Sequence, residues 1–123
     1  MTVGVQVSFD ASDPARLGAF WAELLGYIEQ PPPEGFGSWQ EALVAWGVPE
    51  DQRDSAYAIV DPAGRAPRMF FQRVPEAKSA KNRMHLDIVS PDIEAEAARL
   101  TDWLGPLRVT PRFRTPLERE LVA

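Results

Sequence analysis

Gln6-Val7-Ser8-Phe9-Asp10 leads through Asp13 into a helical segment ending Leu25-Gly26, and His85-Leu86-Asp87-Ile88-Val89 leads through Asp92 into another ending Leu104-Gly105. One constant offset carries Asp13 onto Asp92, Leu25 onto Leu104 and Gly26 onto Gly105, and it sets Gln6 opposite His85. A strand–helix unit used twice is expected to face itself across a shared surface, and such surfaces are where ligands sit.

In the first copy, Val3, Val5, Val7 and Phe9 alternate with Gly4, Gln6, Ser8 and Asp10. A period of two predicts a strand with one buried face. Asp13-Pro14 then starts a helix, with a capping carboxylate beside a proline whose missing N–H costs nothing in the first turn. Leu17, Phe20, Trp21, Leu24 and Leu25 fall on one helical stripe, and Gly26 is a C-terminal stop. In the second copy, Met84, Leu86 and Ile88 alternate with His85, Asp87 and Val89, and a helix opens near Ser90-Pro91-Asp92 with Ile93, Ala97, Leu100 and Leu104 as its apolar stripe.

Between the copies, residues 29–37 are rich in Pro and Gly and read as a loop. Ser38 is placed to cap a short helix, with Glu41 three residues on as in a capping box, and Leu43 and Trp46 available for burial. Residues 56–60 and 69–74 predict two strands of a hairpin around the turn Asp61-Pro62-Ala63-Gly64. Residues 75–82 form a crossover without regular pattern. After Gly105-Pro106, residues 107–113 and 119–122 are candidate strands of a short tail.

Composition narrows the class. A chain of 123 residues with 45% hydrophobic and 25% charged residues suits one globular domain. There is no cysteine, so disulfides, thiolate metal sites and a cysteine nucleophile are excluded. A net charge of −5 argues against nucleic acid as a partner, because such binding needs Lys and Arg to neutralise phosphates. Two local basic groups, Lys78, Lys81 and Arg83 and then Arg108, Arg112 and Arg114, read as solvated loop residues. No apolar run approaches membrane-spanning length, and the N-terminus lacks the pattern of a signal peptide, so a cytoplasmic location without membrane association is expected.

The polar sides of the strands carry the functional signal. Gln6, Ser8 and Asp10 in the first copy, and His85 and Asp87 in the second, put many polar groups on a sheet face, which must be wet, paired or occupied by a ligand. Phe70, Phe71, Gln72 and Arg73 add aromatic area and donors, the usual composition of a small-molecule site. A half-exposed antiparallel sheet without ligand shows the same pattern on a single strand.

Asp13-Pro14-Ala15-Arg16-Leu17 with Phe20-Trp21 and Leu25-Gly26-Tyr27, then Val60-Asp61-Pro62-Ala63-Gly64, Phe70-Phe71-Gln72-Arg73-Val74-Pro75-Glu76 and Lys81-Asn82-Arg83-Met84-His85-Leu86-Asp87, together resemble the glyoxalase-like domains of the vicinal-oxygen-chelate superfamily, the glyoxalase/bleomycin-resistance/dioxygenase fold. The likeness runs from about Val3 to Gly105. It implies a single α+β domain over residues 1–123, built from paired βαβββ modules whose curved mixed sheets enclose a cleft. Module one would cover about residues 1–76 and module two about residues 82–123. The tail after Gly105 is too short for the three strands the family places there, so the second module is expected to be incomplete. A sheet edge left uncovered in that way favours a homodimer, with strand exchange between chains as one form of it.

In metal-using relatives the ligands come from the first and last strand of each module. By position the resemblance points to Gln6 and His85, to the neighbourhood of Gln72, and to Glu120. One imidazole, two neutral amides and one carboxylate make a poor set for a divalent metal, so no metal and no other cofactor is expected. His85 is the only histidine and hence the only general-base candidate, with Asp87 beside it rather than in relay geometry. Ser8 has no histidine set to activate it, and Gly35-Phe36-Gly37 and Gly64 do not form a phosphate loop. Trp21 and Trp46 read as core; Trp39 is the better candidate of the three for stacking on a ligand, with core or interface burial as its leading reading.

The leading expectation is a small-molecule binding protein, its ligand held in the cleft between the modules by Gln6, Ser8, Phe70, Phe71, Gln72, His85 and Asp87. A lyase or isomerase acting on a small carbonyl compound, with or without a divalent metal and with His85 as base or metal ligand, is the second expectation. A structural dimer with no ligand is the third.

Overall fold

The computed structural model describes residues 2–100, and the chain divides into two units, Met1–Lys78 and Ser79–Ala123. The first unit holds β1 (Val7–Ala11), α1 (Pro14–Leu25), β2 (Ile28–Glu29), α2 (Trp39–Ala45), a 3-10 turn (Glu50–Gln52), β3 (Ala56–Val60) and β4 (Met69–Arg73). Its strands form one open sheet in the order β1-β4-β3-β2. β1 runs parallel to β4 and the other pairs are antiparallel. The second unit holds α3 (Ile93–Arg99). The mixed α+β class is the one expected from the sequence.

Alternation along β1 sorts its side chains as predicted. Val7 and Phe9 turn towards α1, while Ser8 and Asp10 are exposed. The strand starts later than expected, however, and Val3 and Val5 are 91% and 71% exposed rather than buried. Val7 still donates to the Arg68 carbonyl at 3.0 Å, and the pairing with β4 begins there.

α1 is bounded as the sequence implies. Asp13 Oδ1 accepts from the Arg16 backbone N–H at 3.3 Å, Pro14 opens the first turn, and Gly26 closes the helix at φ 72°. Leu17, Trp21, Ala22 and Leu25 pack on Ile59, Met69 and Phe71, with Val7, Phe9, Tyr27 and Tyr57 around them. Phe20 and Leu24 lie outside that cluster; Phe20 meets the Trp21 ring edge-on at 5.7 Å. Gly18 is buried because two rings cross it. A Cβ there would overlap Tyr57 Cδ1, stand 2.7 Å from Tyr57 Cε1 and 3.2 Å from Phe71 Cδ2.

The capping box before α2 forms with a shift of one residue. Ser38 Oγ accepts from Glu41 N–H at 3.1 Å, and Glu41 Oε2 accepts from the Gly37 N–H at 2.8 Å. Ala42, not Trp46, is the buried residue of this helix. Trp46 is 55% exposed and meets Phe36 and Trp39 edge-on at 5.8 and 6.4 Å. The segment read as a loop from Glu29 also begins with the last residue of β2, a strand too short to show any period.

β3 and β4 form the expected hairpin, with Tyr57 opposite Phe71 and Ile59 opposite Met69. Its turn is organised by one carboxylate. Asp61 accepts from the N–H groups of Ala63 at 2.9 Å and of Arg65 and Ala66 at 3.0 Å. These bonds, the one from Ala63 first, hold its pKa below the ordinary 3.8. Tyr27 fastens α1 to the same loop by donating to the Pro67 carbonyl at 2.9 Å. Burial, and then the nearby Asp61 charge, raise its phenol pKa above the ordinary value.

The second unit repeats the helix start but not the strand. Asp92 Oδ1 accepts from Ala95 N–H at 3.0 Å, the same three-residue reach by which Asp13 caps α1. The predicted strand over residues 84–89 has no regular structure, and Met84 and Val89 are 80% and 60% exposed. Alternation alone does not make a strand; its N–H and C=O groups must be paired, and no described segment pairs with them. The helix end at Leu104-Gly105, the candidate strands at 107–113 and 119–122, and Glu120 lie outside the described residues. Among the described residues no helix is long and apolar enough to cross a membrane.

Two outcomes follow from these contacts. Gly18→Ala gains about 1 kcal/mol of helix propensity but overpacks the Tyr57–Phe71 contact at a cost of about 1–3 kcal/mol. A lower urea midpoint is therefore expected, and an unchanged or higher one would show that the Tyr57 ring moves aside freely. Because the folded-state pKa of Asp61 is depressed, its contribution to stability is present above pH 3.8 and is lost as pH falls through the lower folded value. Asp61→Asn should thus lower the thermal midpoint near pH 7, with the gap to wild type closing on acidification below that window.

Candidate functional site

The core decides which side chains are left for chemistry. Successive residues of a strand point to opposite faces, so with Phe9, Met69, Phe71 and Ile59 committed to α1, the other face receives what lies between them. Ser8 sits opposite Phe70 and Asp10 opposite Gln72. Across β4 the partners are Ala58 beside Phe70 and Ala56 beside Gln72. Their methyl groups rise little from the sheet, so Phe70 and Gln72 stand clear on that flank.

Two hydrogen-bonded groups frame this face. Gln72 Nε2 donates to Asp10 Oδ1 at 2.8 Å. Just before β4, Arg68 donates through Nη1 to Gln6 Oε1 at 2.7 Å and through Nε to Gln30 Oε1 at 2.5 Å. Its guanidinium carbon lies 5.4 Å from the centre of the Phe70 ring, a cation–π contact of about 0.5–1 kcal/mol at an exposed site. Arginine only donates and an ionised carboxylate only accepts, so these partners fix which way all three glutamine amides point. Gln30 is held from its other side as well, since the Trp39 indole N–H donates to its carbonyl at 2.7 Å.

Gln6, Ser8, Phe70 and Gln72, four of the residues expected to bind a ligand, belong to this one face. Phe71 does not. It is fully buried on the α1 side, its ring 5.0 Å from that of Phe9 and within 7° of parallel. His85 and Asp87 belong to the second unit, where both are exposed on irregular backbone. His85 Nε2 is 3.1 Å from the Asn82 carbonyl, which can only accept, so Nε2 carries the hydrogen and a neutral ring keeps Nδ1 as its acceptor. Arg68 and Gln30 are the residues that sequence reasoning missed. Arg68 had a signal, because it continues the period of two that links Phe70 and Gln72. Gln30, next to a run of three prolines, had none.

These donors do not suit a divalent metal. The Gln6 oxygen already accepts from a guanidinium, and a metal ion placed there would meet a second positive charge at short range. Gln72 directs its NH₂ group at Asp10. Among the described residues no three His, Cys, Asp or Glu side chains come together as a ligand cluster.

A family model described as a glyoxalase-like domain matches residues 6–105. No curated protein and no solved structure matches the chain. The matched span takes in both copies of the strand–helix pattern, from Gln6 to Gly105, together with the hairpin that carries Phe70 and Gln72. By that match the chain belongs to the glyoxalase-like domain family.

Proposed function

We propose that the chain is a small-molecule binding protein and that its ligand lies on the sheet face carrying Ser8, Asp10, Phe70 and Gln72. The observation that carries this reading is the set of side-chain bonds around Phe70. Gln72 is tied to Asp10, and Arg68 to Gln6 and Gln30, without help from a ligand. Side chains ordered in advance lose little further freedom when a ligand arrives, which is how a shallow face reaches useful affinity. An aromatic ring ringed by amide, hydroxyl and guanidinium groups is also the usual make-up of an organic-ligand site, the ring giving contact area and the polar groups orientation.

Phe70 and Gln72 serve as probes because neither belongs to the packed core. In a thermal-shift screen of small metabolites and antibiotics, at least one compound should raise the melting temperature in a saturable way. Phe70→Ala should weaken that compound by about 1–3 kcal/mol, as truncation of an aromatic anchor does, with an unchanged circular dichroism spectrum. Gln72→Ala should weaken it by about 0.5–1.5 kcal/mol, the net worth of one hydrogen bond. A compound that binds equally well to wild type and both variants would sink the assignment to this face.

A further inference from the structure

The sheet face bears a charge that its neighbours leave unanswered. Both acceptors of Arg68 are neutral amides, Gln6 at 2.7 Å and Gln30 at 2.5 Å. A guanidinium has five N–H donors; among the described residues two are engaged and three are left. Arg73 pairs with Asp54 and Arg99 with Glu96, each at 2.7 Å, whereas Arg68 has no carboxylate within ion-pair distance among the described residues. Asp10 is on the same face but four positions further along β1 than Gln6, about 13 Å at the rise of a strand, and it accepts from Gln72. The Asp61 carboxylate is occupied by three backbone N–H groups of its own turn.

The side chain is also held in place. Amides from two different segments fix its Nε and Nη1, and the Phe70 ring lies 5.4 Å from its centre. A flexible surface arginine would have to be ordered by its ligand; this one is ordered already. We infer that Arg68 docks the carboxylate of an organic acid, with Phe70 beside it receiving the acid's apolar body. The inference rests on the small-molecule reading and deepens it by naming the class of ligand. One guanidinium matches one negative charge, and Arg73, the cation at the end of β4, is turned to the opposite face and taken by Asp54 and the Asp51 carbonyl. Arg68 is suited to carboxylate because its planar fork can donate two parallel bonds to the two oxygens.

The test compares benzoate with benzamide, which share size and ring and differ in charge. Titrated at millimolar concentration into the isotope-labelled full chain, benzoate should shift the backbone amide resonances of Ser8 and Phe70 saturably. Benzamide should bind at least about tenfold more weakly, the factor that corresponds to one charge-assisted bond. Arg68→Gln should remove this preference, and Arg68→Lys, which keeps the charge but not the fork, should retain part of it. Equal binding of the two compounds, or a preference that survives Arg68→Gln, overturns the inference. If both bind equally and both are lost in Phe70→Leu, the site stands and only the acid specificity falls. If neither perturbs Ser8 or Phe70, the inference falls, and the screen with Phe70→Ala decides the site separately.

Discussion

Phe9 lies flat against Phe71 across the parallel β1–β4 pair, and the Trp21 ring of α1 stacks on Phe9 from 5.5 Å away. Burying one such side chain is worth about 1.5–3 kcal/mol, and the ring contact adds about 0.5–1.5 kcal/mol. An exposed ion pair such as Arg73–Asp54 gives about 0–1 kcal/mol. The aromatic contact therefore sets the register, and surface charge does not. A slip of β1 by one residue would bring Ser8 and Asp10 into the core and expel Val7 and Phe9. Holding Phe9 against Phe71 thereby also holds Ser8 beside Phe70 and Asp10 beside Gln72, so the candidate site is the obverse of the core.

What could be read from the sequence was whatever is settled over a few residues. Asp13, Ser38 and Asp92 announce their helix starts because each cap joins a side chain to a backbone N–H three residues on, and Gly26 announces an end because it alone takes the left-handed turn without strain. The β3–β4 hairpin was legible for a similar reason, with Asp61-Pro62-Ala63-Gly64 between two short apolar runs. The parallel pairing of β1 with β4 joins segments more than sixty residues apart in sequence, as Val7 with Met69 shows, and no local pattern encodes that choice. Trp46 was misjudged because a seven-residue helix has too few turns to reveal which side is covered, and Ala42 took the buried place. The second copy shows the same division. Its cap at Asp92 is local and forms, whereas a strand over residues 84–89 needs a partner that alternation cannot supply.

For the site, the strand pattern correctly separated Ser8 from Phe9 but left Phe70 and Phe71 undistinguished, since either frame of Phe70-Phe71 is aromatic. Only the register tells them apart. Gln6 had its place through its offset from His85 and through the family resemblance, and the hydrogen bond it makes gives that place a different chemical meaning. The resemblance implies that metal-using relatives hold a cation at this position by an oxygen or nitrogen lone pair. Here the lone pair of Gln6 holds the cation of an arginine.

The neutrality of Gln6 and Gln30 is the informative part of that arrangement. Glutamate at either position would set a full negative charge against Arg68, where the amides only accept from its already ionised guanidinium. It would also cancel the charge. Amide oxygens fix the guanidinium and leave its field intact, so the pair of glutamines gives order without neutralisation. An arginine that is positioned by two neutral amides, backed by the face of Phe70 and kept about 13 Å along the strand from Asp10 is arranged as a positive point on a sheet face, which is the form that recognition of a carboxylate requires.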